Sequence, residues 1–118
     1  MPIYSNSAMR HAIDEYVHNV QYRQILLLRY CEGHTREYIK LALEIKEERP
    51  ELARTLYNIS TQEMEHMKLL HDSVVGVIAD YRRDNGEPPL SMQAVYDYLH
   101  EKHIDAAAEV KAMQGMFR

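Results

Sequence analysis

Only two stretches of this 118-residue chain can turn it sharply, and everything between them carries helical spacing. Glycine and proline occur four times each. Glu47-Glu48-Arg49-Pro50 forms one joint, with Pro50 suited to the first position of a helix because its missing N–H is not needed there. Asp84-Asn85-Gly86-Glu87-Pro88-Pro89 forms the other, stacking turn formers on two consecutive prolines. The chain is therefore expected to be one all-α domain over residues 1–118, with helices over about 7–48, 50–83 and 91–113. Ser5 or Ser7 is the expected cap of the first helix and Ser91 that of the third. A first helix of over 40 residues is long, and a break is expected near His18–Asn19 or, failing that, at Gly33. The short connection at Pro50 makes the first two helices an antiparallel hairpin.

Charge and cysteine content narrow the function classes. Fourteen basic and 18 acidic residues give a net charge of −4, with no basic block to neutralise a run of phosphates, so nucleic acid is not an expected partner. No window approaches the twenty or so apolar residues of a membrane span, and Met1–Ser7 has no cationic segment followed by an apolar one. The single cysteine, Cys31, excludes an intrachain disulfide and a four-thiolate metal site, which points to a reducing, cytoplasmic setting. Cys31 itself reads as a small buried apolar residue. The nine tyrosines read as residues at the edge of the core.

Two ionisable residues break the pattern of the second helix. Leu52, Leu56, Ile59, Glu63, His66, Leu70, Val74 and Val77 follow one another in steps of three and four, as a single face requires. A carboxylate placed on an apolar face neutralises, finds a partner or binds a cation, because burying it unpaired costs several kcal/mol or more. Glu63-Met64-Glu65-His66 also sets a carboxylate and an imidazole one helical turn apart, within reach of one ion. With 12 glutamates and seven histidines, about one such pair is expected by chance, and two occur, the second being Glu15-Tyr16-Val17-His18. Context separates them. Folding the hairpin about residues 48 and 49 puts Glu63 opposite position 34 and His66 opposite position 31. Glu32 lies between those levels and continues a stripe of its own, Ile25, Leu28, Glu32, Thr35, Ile39 and Ala42. Glu32, Glu63 and His66 are thus the expected metal ligands, an oxygen and imidazole set that suits iron, manganese or zinc. Three such ligands are half of a carboxylate-bridged di-metal bundle, and a two-fold-related copy would supply the other half.

In Glu32, in Glu63-Met64-Glu65-His66, and in Tyr38-Ile39-Lys40-Leu41-Ala42-Leu43 with the turn into Glu51-Leu52-Ala53, the chain resembles the ferritin-like superfamily. Within that superfamily it is similar to the short rubrerythrin-type and encapsulated-ferritin chains, over roughly residues 22–83. The resemblance implies a two-helix hairpin plus a C-terminal helix, completed to a four-helix bundle by dimerisation. It implies two iron ions at each dimer interface, with Glu32 and His66 as terminal ligands, Glu63 as the bridge and Tyr38 supporting them from behind. The implied activity is that of a ferroxidase, oxidising Fe(II) with dioxygen or peroxide for iron storage or detoxification. The implied partners are a second copy, or a higher even-numbered assembly, and an encapsulin shell docked through Met113-Gln114-Gly115-Met116-Phe117-Arg118. A rubredoxin-like module is excluded by the cysteine count.

The remaining ionisable residues have plainer readings. Glu15 and His18 extend a stripe through His11, Tyr22 and Ile25 and form a weaker second metal-site candidate against a solvated helix start. His100 and His103, near Asp97, read as solvated, and His71 as facing away from His66. Two other functions remain open: a non-catalytic dimeric adaptor or assembly module, and a di-metal peroxidase or catalase-like enzyme on the same ligands.

Overall fold

A computed structural model describes the backbone of residues 2–118 and the side chains of residues 23–118 other than Ser91. The fold is all-helical: α1 (Pro2–Ile45), α2 (Pro50–Asn85) and α3 (Leu90–Phe117). Together they make a rod of 69 × 21 × 18 Å. Its long axis is set by α1, whose 44 residues at 1.5 Å each span about 66 Å. α1 is one element through both His18–Asn19 and Gly33. A single poor helix former costs at most about 1 kcal/mol, less than flanking turns lose if the ladder is interrupted. Glu15 and His18 lie outside the described side chains, and Ser5 and Ser7, expected as the cap, fall within α1, whose helix opens at Pro2.

Both joints are set by backbone chemistry, and the Arg82 side chain also spans the second, pairing with Glu87 and donating to Gln93 of α3. Arg49 opens α2 with no side-chain cap, and Pro50 follows as the first helical residue. The Ala53 amide donates to the Arg49 carbonyl at 2.8 Å. At the other end Gly86 closes α2 at φ 81°, ψ −166°, its amide donating to Arg82 O at 2.9 Å. α3 begins one residue before the expected cap. Pro89, extended at φ −54° and ψ 151°, takes the capping position, and its carbonyl accepts from both Met92 and Gln93. α3 also runs four residues past its expected end, because Gly115 lies within a helix still held by packing.

α1 packs along both other helices, whereas α2 and α3 meet mainly through side chains. Ala53, Ser60, Met67 and Val74 are the buried residues of α2, and they recur every seven positions. That spacing keeps one seam of α2 against α1 over three heptads. Near the first joint Ile39, Ala42, Ala53, Val110 and Phe117 close one apolar cluster. Leu28, Cys31, Met67 and Ala106 form a second. Beside the first cluster a buried polar contact joins α3 to α2, Gln114 Nε2 donating to Ser60 Oγ at 3.1 Å. The segment expected to serve as a docking tail is part of α3. Phe117 is buried, stacks on Tyr57 with centroids 4.6 Å apart, and lies beneath the Lys46 ammonium.

Gly86 occupies a backbone region that L side chains rarely adopt, while the space around it is open. Gly86→Ala should therefore cost about 1–3 kcal/mol through backbone strain alone. Urea unfolding followed by circular dichroism would measure it, and an unchanged midpoint would contradict this account of the joint.

Candidate metal centre

The α2 heptad divides the helix surface into two flanks. Tyr57, Met64, His71 and Ile78, again seven apart, lie on the α3 side: Tyr57 stacks on Phe117, and His71 on His103. Met64 and Ala107 line one cleft there, and Ile78 and Leu99 line another. The opposite flank carries Leu52, Leu56, Ile59, Glu63, His66, Leu70 and Val77, and α3 does not cover it. Leu52 is 48% exposed there, and Leu56, Ile59, Leu70 and Val77 are half-buried. The mixed stripe read from the sequence is thus a real face, but an open one.

Glu63 and His66 meet midway along this flank. His66 Nδ1 donates to Glu63 Oε1 at 2.8 Å, with the imidazole 58% exposed and the carboxylate 22% exposed. The second Glu63 oxygen lies 3.7 Å from Cys31 Sγ, across the α1–α2 seam. Burial, and then the neighbouring Glu63 carboxylate, raise the Cys31 thiol pKa above its ordinary value. At neutral pH, without an ion, Cys31 is therefore a neutral thiol. Further along the flank a groove is lined by His34, Tyr38, Leu41 and Leu56, so Tyr38 stands toward the first joint, on the same side as the couple.

Glu32 is buried as its periodicity predicts, only 1% exposed, in register with Ile25, Leu28, Thr35, Ile39 and Ala42. Its carboxylate is taken up elsewhere. Arg29 donates to Oε1 at 2.7 Å, and His103 Nδ1, from α3, donates to Oε2 at 3.0 Å. Glu32 therefore faces α3 and is satisfied there, while Glu63 and His66 face the open side. Among the described residues, no three histidine, cysteine, aspartate or glutamate side chains are arranged to hold an ion within one chain. Glu63 and His66 are the right donors for iron, manganese or zinc, but one chain supplies only two of them on this flank.

The structure also gathers residues that the sequence left apart. His71 Nε2 and His100 Nδ1 stand 3.3 Å from each other, and the His71 ring stacks on that of His103 with centroids 4.3 Å apart and planes 10° apart. A signal for this existed. The α3 stripe Leu99, Ala106, Val110, Met113 lacks a member between its first two residues, and His103 fills that gap, four after Leu99 and three before Ala106.

Removing the Glu32 carboxylate leaves the His103 N–H without an acceptor in a poorly solvated place. Glu32→Ala should lower stability by about 1–3 kcal/mol in metal-free protein. Denaturant unfolding in the presence of chelator checks this, and a neutral effect would mean that the buried pairing does not hold α1 to α3.

Among the described residues no helix is long and apolar enough to cross a membrane. No protein-family model, curated protein or solved structure matches the chain.

Proposed function

We propose that two copies of the chain pair through the open flanks of their α1–α2 hairpins, and that the two Glu63–His66 couples then form a carboxylate–histidine centre for a pair of metal ions. The activity proposed for it is oxidation of Fe(II) by dioxygen or peroxide, the ferroxidase reaction of ferritin-like bundles. The observation that carries this reading is a carboxylate–imidazole couple, closed at 2.8 Å, in the middle of an otherwise apolar, half-exposed helix flank.

Two physical arguments select the second copy and the ions. Leu27, Leu41 and Leu52 are each about half exposed on the hairpin, and covering such side chains is worth roughly 1 kcal/mol apiece. A two-fold axis along the flank matches each stripe to its own duplicate and completes four helices. It also brings two Glu63 carboxylates into one dehydrated interface, where like charges are costly unless cations lie between them. Two iron(II) ions held there would together supply two electrons to a single oxidant molecule. For the protein's own part, Glu63 would give up its His66 contact at Oε1 to offer carboxylate oxygen, His66 would offer the ring nitrogen that Glu63 does not hold, and the flanking leucines would exclude bulk water. Glu32 has no part in this proposal, because its oxygens are engaged by Arg29 and His103.

The same couple supports a second reading, an assembly module in which Glu63 and His66 pair across the interface and fix its register without an ion. Iron oxidation separates the two. Purified protein given Fe(II) in air should oxidise it at least about tenfold faster than Glu63→Ala or His66→Ala protein, and those variants should lose bound iron. Glu32→Gln should keep the activity. Equal rates for wild type and both flank variants would refute the ferroxidase reading in favour of the assembly module. Loss of activity on Glu32→Gln would return Glu32 to the centre.

A further inference from the structure

We infer that the cavity enclosed by α1, α2 and α3 binds an amphipathic monocarboxylate, a short aliphatic chain with a carboxylate at one end. The cavity lies on the α3 side of the α2 heptad, so it is independent of the Glu63–His66 flank.

Polarity is graded from the inside of this cavity to its mouth. Its walls include Ile25 and Leu28 of α1, Val74 of α2 and Leu99 of α3, the first three of them buried. An aliphatic body laid against these side chains is withdrawn from water together with them. The volume, about 420 Å³ counted with the open mouth, falls within the range of about 300–1,000 Å³ usual for small-ligand pockets.

The mouth carries hydrogen-bond donors and no acid. Arg29, its side chain 39% exposed, and the exposed His100 stand at the rim, with the stacked rings of His71 and His103 beside them. Among the described residues that line the cavity none is aspartate or glutamate, although the chain has 18 acidic residues against 14 lysines and arginines. Glu32, which balances Arg29, stands behind the lining. One of its oxygens accepts from Arg29 at 2.7 Å and the other from His103 at 3.0 Å, and at 1% exposure it is out of a ligand's reach. That bond uses one of the guanidinium's five N–H donors, so Arg29 is held in place with donors to spare for a second carboxylate. A cation is disfavoured at the same mouth, because Arg29 stays charged.

The test is equilibrium dialysis of the wild-type chain against radiolabelled octanoate, with butanoate and hexanoate as shorter competitors and octanol as an uncharged one. One octanoate should bind per chain. Each methylene added between butanoate and octanoate should tighten binding roughly fourfold, as burial of the chain requires. Octanol should bind at least about tenfold more weakly than octanoate, for want of the charged hydrogen bond. Arg29→Gln, which keeps a donor for Glu32 and removes the charge, should weaken octanoate binding at least about tenfold. Val75→Glu, at a half-exposed position of the lining, should weaken it as much by setting a like charge beside the ligand, both variants keeping their helicity. His66→Ala should leave binding unchanged, which sets this cavity apart from the proposed metal centre. Absence of saturable binding, octanol held as tightly as octanoate, or binding undiminished by both Arg29→Gln and Val75→Glu would overturn the assignment.

Discussion

The seven-residue recurrence of Ala53, Ser60, Met67 and Val74 keys α2 against α1, and the other features of the molecule follow from it. Alanine and serine at two of the four positions let the helix backbones come close. With that seam fixed, residues one turn away on either side fall on two opposed flanks. Tyr57, Met64, His71 and Ile78 receive α3. Leu52, Leu56, Ile59, Glu63, His66, Leu70 and Val77 are left without a covering helix. A three-helix chain with one apolar flank uncovered is incomplete as a bundle, and this incompleteness drives the proposed pairing.

Polar groups inside the rod mark the places where it is specified most tightly. Gln114 reaches Ser60, Thr35 donates to the Cys31 carbonyl, and Glu32 is held from two helices at once. The Glu32 contacts tie α1 to α3 at mid-length and set the register of α3. Phe117, stacked on Tyr57 beneath Lys46, does the same at the end near the first joint. Burying a carboxylate is costly unless it is paired, and Arg29 and His103 supply that pairing from α1 and α3.

Much of this was legible in the sequence. Pro50 and the Asn85–Pro89 cluster place both joints, because ring geometry and a left-handed glycine act locally and need no tertiary context. Periodicity places Glu32 inside, and it places Glu63 and His66 on one face. It does not say which neighbour covers a face. A stripe fixes the phase of a helix, and only packing decides whether α2, α3 or a second copy lies against it. For that reason Glu32 reads as a companion of Glu63 from spacing alone, yet pairs with His103. His100 and His103 read as solvated, as His100 is, and His71 as facing away from His66, since each lies at a different level of the chain. Their meeting depends on the antiparallel return of α3, which the Pro88–Pro89 joint imposes but whose register no local signal states.

Sedimentation of the wild-type chain with and without metal tests the central claim most directly, because ions shared between two subunits must strengthen their association. With Fe(II) under anaerobic conditions the protein should sediment as a dimer or larger even-numbered assembly, with about one ion per chain lost on Glu63→Ala. Chelation should weaken that association at least about tenfold. Metal bound at the Glu63–His66 couple by a species that stays monomeric, or an assembly indifferent both to chelator and to Glu63→Ala, would contradict the account.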